Sequence, residues 1–566
     1  MRLPQLLACA SCLWPTIVST TAPQESNESA ELRNANHIFN AIHSSMRQWG
    51  SSLNHNGMSF FLATVPVDTL LYHGTPRPDP VTGMEWLAFE PEHSLIFARP
   101  RRPPPGRGPG NGEHPDGRPD GPQGGGDEPR DRTPWSPSRR PQHQLPKLQF
   151  SLLRDEKKED DEPDWSHGWL HTYKANKDLR LLYIDGMSAG KTQNGTMDSQ
   201  DYILLNSTLP HNGMWEQERA QGLCELASKE WEGRIDGILR MEGGFEIILC
   251  SFAKDVEVVS ITQAKPQGQD SGPHVGLGGG YEDSFQYYKA ISMRYHGIGG
   301  GRVVIDYEHF VTAYTYPISL FQTLTPDQDL PLPRLTNVSF ADLAAIRADV
   351  QSMIITHDAV ASAKTSYNWQ IIADMLVTRY STLLRYTTSP ALVASNELLA
   401  AELGRALTPF IDYAARNSTA EISRCASQFT TASPRSGSSL AARAITSVAT
   451  KLCTSLVSAY SSAASATAKG QEEAVATLRE LVDYLQWTTW KECRGCGDDE
   501  LCVLPIWPMG DFEEHRRPSC MNSTKIATRH GYWGWRGFGE PPGKGDGDRP
   551  GRPGILARLV GIAGVE

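Results

Sequence analysis

The sequence has no surplus of positive charge. Its 54 lysines and arginines stand against 65 aspartates and glutamates, a formal net charge of −11. Nucleic acid is therefore excluded as a default partner, because it selects for a basic face. After the N-terminal segment there is no run of about 18 apolar residues, so no membrane span is expected. There is no HExxH motif, which removes the commonest helical zinc site, and no metal ligand set is assigned. No internal repeat is evident, which sets solenoids and propellers aside.

The N-terminal segment reads as an export signal. Met1-Arg2 is a short positive start, Leu3 to Val18 is mostly apolar, and small residues follow up to Ala22. Export agrees with Asn-x-Ser/Thr acceptors at Asn27, Asn194, Asn206, Asn337, Asn417 and Asn522. It also agrees with an even set of cysteines beyond the signal: Cys224, Cys250, Cys425, Cys453, Cys493, Cys496, Cys502 and Cys520. In an oxidising compartment these favour disulfides. Zinc ribbons use two close Cys pairs, whereas Cys502 and Cys520 are far apart, so two disulfides are expected among the last four cysteines. The expected product is a secreted, extracellular glycoprotein.

Composition divides the chain. Residues 1–22 are the signal and 23–58 an N-terminal helix. Residues 59–265 form a mixed α/β domain, interrupted at 99–145 by a Pro/Gly-rich insertion that buries too little apolar surface to order itself. Residues 266–280 are a Gly-rich linker. Residues 281–490 form a mainly helical region, 491–525 a Cys-rich cap, and 526–566 a flexible tail. The fold class is α+β.

Three chemistries have local signals. "LLYIDGMSAGKTQNGT" runs from a strand into Gly190-Lys191-Thr192, the ending of a P-loop. The leading glycine of a phosphate cradle would fall at Asp185, however, and no helix follows. This leaves Lys191 in a loop. Gly186-Met-Ser188-Ala-Gly190 matches Gly-x-Ser-x-Gly after a strand, which makes Ser188 a candidate hydrolase nucleophile. The third signal is spread out. "LLYHGT" ends a strand in His73-Gly74-Thr75, "EWLAFEPEHSLIFA" carries Trp86, Phe89 and Phe97, and "GFEIILCSF" opens a late strand with Glu246.

This third order resembles the His-Tyr-Glu branch of the ADP-ribosyltransferase superfamily over residues 65–260. The resemblance implies NAD as substrate. His73 would hydrogen-bond the nicotinamide ribose, Gly74 would hold the carboxamide through its backbone, and Thr75 would join the nucleotide-binding set. An aromatic among Trp86, Phe89 and Phe97 would stack on nicotinamide. Glu246 would bind the ribose hydroxyl as positive charge develops. Ile96-Phe97-Ala98 stands where that branch has Tyr-Phe-Ala. Stretches such as "RQWGSSLNHNGMSFF", "RIDGILRMEGGFEIILC" and "RYHGIGGGRVVIDYEHFV" make the whole chain similar to large secreted proteins of filamentous fungi. That resemblance implies source and compartment, with no activity. Three readings follow: NAD-dependent ADP-ribosyl transfer or NAD glycohydrolysis, a non-catalytic extracellular or cell-wall-associated protein, and a serine hydrolase using Ser188.

Overall fold

The computed structural model describes residues 32–99, 167–192, 194–206, 215–264, 281–292, 299, 301–321, 332–429, 439–527, 529 and 532. The expected signal peptide and linker, and most of the insertion and tail, lie outside them. The architecture is α+β, with a nine-stranded mixed sheet followed by a helical region.

The chain opens with α1 (Ala35–Ser44) and α2 (Gln48–Leu53). The sheet then forms from β1 (Asn56–Val65), β2 (Leu70–Thr75), β3 (Glu85–Ala88), β4 (Trp169–Ala175), β5 (Leu179–Gly186), β6 (Gly237–Glu242), β7 (Gly244–Leu249), β8 (Val256–Gln263) and β9 (Val304–Thr312). Their order is β8-β4-β2-β3-β7-β6-β5-β1-β9. β1 and β5 lie at the heart of the apolar core, and their near-continuous apolar runs are what strands covered on both faces require. β5 and β6 run parallel. A parallel pair needs a long crossover, and residues between them supply it with a π-helical turn at Ser199–Leu204 and α4 (Glu216–Glu225). The short helices α3 (Pro91–Leu95) and α5 (Phe252–Asp255) flank the sheet, and α6 (Tyr281–Ser292) lies in the chain between β8 and β9.

β9 corrects the sequence division. Residues 304–312 were expected in the helical region, yet they pair with β1 as the edge of the sheet. Tyr307 meets Phe61 edge-on and Phe310 stacks on it; both reach one ring because the β1–β9 register shifts between Phe61 and Ala63.

The helical region contains α7 (Phe340–Thr356), α8 (Ala359–Thr365), α9 (Trp369–Thr387), α10 (Pro390–Val393), α11 (Asn396–Leu407), α12 (Ser418–Ser427), α13 (Leu440–Ala464) and α14 (Ala468–Leu485). Ser339, Asp358, Ser395, Asn417, Ser439 and Thr467 cap their helices by accepting an orphan backbone N–H. Among the described residues, α13 alone is long and apolar enough to cross a membrane, which the sequence reading did not anticipate. It is a core helix, with Ile445, Val448, Leu452 and Leu456 fully buried. α1 packs against α13 and α9, and Asn36 and Asn40 donate to the carbonyls of Tyr484 and Leu485. Sheet and helices therefore share one apolar core.

The eight cysteines pair as Cys224–Cys250, Cys425–Cys453, Cys493–Cys502 and Cys496–Cys520. The last two staple the cap, where β10 (Glu500–Val503) pairs with β11 (Ser519–Asn522). Cys425–Cys453 joins α12 to α13 across a sequence separation of 28. Replacing both cysteines by alanine is expected to cost about 3.5 kcal/mol, the loop-entropy scale for that span. Urea unfolding of wild type and variant measures it, and unchanged stability would show that α12 docks without the bridge.

Candidate functional site

The β6–β7 hairpin concentrates charge. Successive strand residues face opposite sides. In "GILRMEGGFEIIL", therefore, Leu239, Met241, Phe245 and Ile247 enter the core on one face, while Arg240, Glu242 and Glu246 share the other. Register confirms this, with Arg240 opposite Glu246 and Glu242 opposite Gly244. Arg240 is 0% exposed. Its guanidinium donates to Glu246 Oε1 at 2.5 Å, to Gln200 Oε1 at 2.8 Å and to Glu216 of α4. Lys191 enters from the loop after β5, with Nζ 2.7 Å from Glu242 Oε2 and 3.6 Å from Glu216 Oε2. The Lys191 ammonium also sits 5.0 Å over the Trp507 ring. Arg219 pairs with Asp201 at 2.9 Å alongside.

His93 of α3 completes the group, 2% exposed. Gly244 permits its approach: its φ is +115° and a Cβ there would lie 2.8 Å from His93 Nδ1. Tyr287 of α6 closes the hairpin end by donating to the Gly243 carbonyl. Electrostatics divide the carboxyls. Burial pushes Glu242 up to about 7 against the pull of Lys191, with Glu246 adding to the rise. Burial also acts on Glu216, but Arg240 and Lys191 outweigh it and hold that carboxyl down to about 2. Burial holds His93 near 4. Three buried polar atoms here lack a hydrogen-bond partner: His93 Nδ1, Glu216 Oε2 and Arg240 Nε.

The residues singled out for NAD are not brought together. Tyr72 pairs with Ala88, Ala88 with Glu246, and Glu246 with Arg240, so these four project from one face. His73, one residue on from Tyr72, projects from the other. Its Nδ1 bonds the Trp86 carbonyl at 2.8 Å, and its ring meets His171 and Phe252. His73 and Thr75 line a cavity of about 540 Å³ on that side, with Arg77, Asp79 and Glu85. Gly74 is a packing glycine, because a Cβ there would lie 1.8 Å from the Ser94 carbonyl. Trp86 shares the face of Ile248, with which it pairs. Phe89 is buried beneath the Arg302 guanidinium, and Phe97 is 55% exposed beside His93. One ribose cannot be held between His73 and Glu246 across a sheet. Ser188 is buried, and its hydroxyl donates back to the Ile184 carbonyl at 2.8 Å.

Glu216, Arg240, Glu242 and His93 are marked by no motif in the sequence, and Lys191 only by a P-loop ending that it does not serve. A Gly-Gly pair between alternating strands is a hairpin signal. Read that way, "RMEGGFE" alone places three charges on one face. Lys191 reaches the centre through tertiary contact.

A second concave region lies where α1, the end of β9 and α14 meet. It encloses about 450 Å³. The His37 ring stacks on Phe321 at 4.5 Å and on Tyr314 at 5.1 Å, and Trp487 and Trp490 face each other at 5.2 Å. Asn54, Asp483 and Gln486 line the same cavity.

Residues 24–270 match the family described as the YPL277C N-terminal domain. Two proteins of Saccharomyces cerevisiae (strain ATCC 204508 / S288c) are similar. Uncharacterized protein YOR389W is 34% identical over 247 residues, covering 41% of this chain and 34% of that protein. Uncharacterized protein YPL277C is 33% identical over 250 residues, covering 41% and 43%. The chain thus spans less than half the length of either relative. The similarity to these fungal proteins lies in the segment that holds the charged hairpin. No solved structure matches the chain.

Two outcomes are expected. Lys191→Met leaves Glu242 buried beside an apolar group and should cost about 3–5 kcal/mol. Adding Glu242→Gln removes the stranded charge and should recover much of that loss. Equal stability of single and double variants in urea unfolding would contradict the pairing.

The second concerns acid. Burial holds His37, His55, His73 and His93 near 4, and His515 well below its ordinary value. Folding keeps them neutral, so their contribution is full above about pH 6.5 and is lost as pH falls toward 4. Asp185 and Glu242, pushed up to about 7 by burial, act oppositely. Burial also holds His171 and His357 down and pushes Glu85 and Asp255 up, so seven histidines stand against four acids, and the melting temperature should drop between pH 6.5 and 4. A flat profile by differential scanning calorimetry would show that the histidines titrate freely.

Proposed function

We propose that the chain is an extracellular, cell-wall-associated glycoprotein that works by binding saccharide in the aromatic cavity between α1 and α14, and that it does not turn over NAD. The carrying observation is that cavity: aromatic rings beside the Asp483 carboxylate, Lys491 and the three side-chain amides of Asn54, Asn56 and Gln486, within about 450 Å³. Sugars offer apolar C–H faces to rings and hydroxyl pairs to amides and carboxylates, so a wall that mixes rings with such polar groups suits them. Four disulfides and the exposed acceptor residues Asn337 and Asn417 support an oxidising, glycosylating route. The division of His73 and Glu246 between two faces weighs against the NAD reading.

Affinity electrophoresis through soluble β-glucan and chito-oligosaccharide titration test the reading. Wild type should be retarded or should bind one of them. Trp490→Ala and Asp483→Asn should each weaken binding at least about tenfold, the scale of losing one stacked ring or one charged hydrogen bond. No binding by folded wild type would overturn it. Release of nicotinamide from NAD, abolished by Glu246→Ala, would restore the transferase reading in its place.

A further inference from the structure

We propose that His93, Glu242 and Glu246 form a site for one divalent transition-metal cation, best suited to Zn²⁺, that ties α3 to the β6–β7 hairpin. This goes beyond the saccharide cavity and does not depend on it. One imidazole nitrogen and one oxygen from each carboxylate lie within 4.8 Å of one another, and all three side chains are buried. The lining cations leave room for the ion's bonds. Lys191 holds Glu242 through Oε2, and Arg240 holds Glu246 through Oε1. The second oxygen of each carboxylate takes no part in those bonds.

His93 is an independent pointer. It is almost wholly buried, and its Nδ1 has no hydrogen-bond partner while facing the hairpin turn at Gly244. Buried ring nitrogens ordinarily find a partner. Electrostatics agree in direction: among the described residues Glu216, Glu242, Glu246 and Asp201 stand against Lys191, Arg240 and Arg219, so the centre has one carboxylate more than it has cations. Tyr287 over Gly243 and Trp507 over Lys191 close the surroundings, which fits a ligand of ionic size. The donor chemistry narrows the ion. Ca²⁺ and Mg²⁺ are held by oxygen alone. One imidazole with two carboxylates suits Zn²⁺, which accepts both donor types.

The full-length glycosylated protein would be stripped with chelator and titrated with Zn²⁺ by isothermal calorimetry. X-ray absorption of the loaded sample would report the ligands. One Zn²⁺ per chain is expected, with nitrogen and oxygen donors including one imidazole, and with a raised melting temperature. His93→Gln and Glu246→Gln should each weaken binding at least about tenfold. Should His93→Gln not fold, Glu242→Gln together with the absorption spectrum decides the matter. No stoichiometric binding by wild type, or wild-type affinity in the folded His93→Gln protein, would overturn the site and leave a closed salt-bridge network.

Discussion

The fully buried guanidinium of Arg240 is the constraint around which the sheet region is arranged. A guanidinium cannot be deprotonated, and its charge cannot be left without a counter-charge in an apolar interior. Its partners come from three places: Glu246 across the hairpin, Gln200 from the π-helical turn, and Glu216 from α4. Satisfying one β6 side chain thus fixes where the crossover between β5 and β6 must pass. Lys191, on the same crossover, then balances Glu242 and Glu216.

Covalent and electrostatic ties act on the same elements. Cys224 lies on α4, which carries Glu216, and Cys250 immediately follows β7, which carries Glu246. The bridge confines the helix near the strand whose charges it must meet. Hydrophobic burial alone would permit α4 to slide along the sheet. The disulfide and the Glu216–Arg240 contact together select one position.

The features that carry one element each were legible from residues. β1, β2 and β5 are written in apolar runs, the C-terminal helices in their spacings, and disulfide bonding in an even cysteine set. Glu246 was selected for a ribose-binding role, and it stands instead in an ionic centre. His73 looked like its companion because both sit near strand ends, but strand parity separates them, and parity between non-adjacent strands depends on register that sequence order does not reveal. Lys191 was set aside because "GKT" failed as a phosphate cradle. Failing as a phosphate cradle leaves the lysine free to serve a tertiary role. β9 was assigned to the helical region because a linker and a helix precede it.

That last difference bears on how the chain works. With β9 at the sheet edge and α1 wedged among α9, α13 and α14, the sheet and the helices cannot be independent bodies joined by a linker. Ser45 on the α1–α2 turn bonds Tyr307 of β9, and Arg47 pairs with Asp374 of α9 at 2.7 Å. The N-terminal helix is therefore a pin between two layers. The aromatic cavity sits beside this pin, walled by His37 from α1, Tyr314 after β9, and Trp487 after α14. No one of those segments makes the cavity alone. A helical region of this length, which a small enzyme would not need, supplies one wall of the concave surface and the apolar bulk that holds the other two in place.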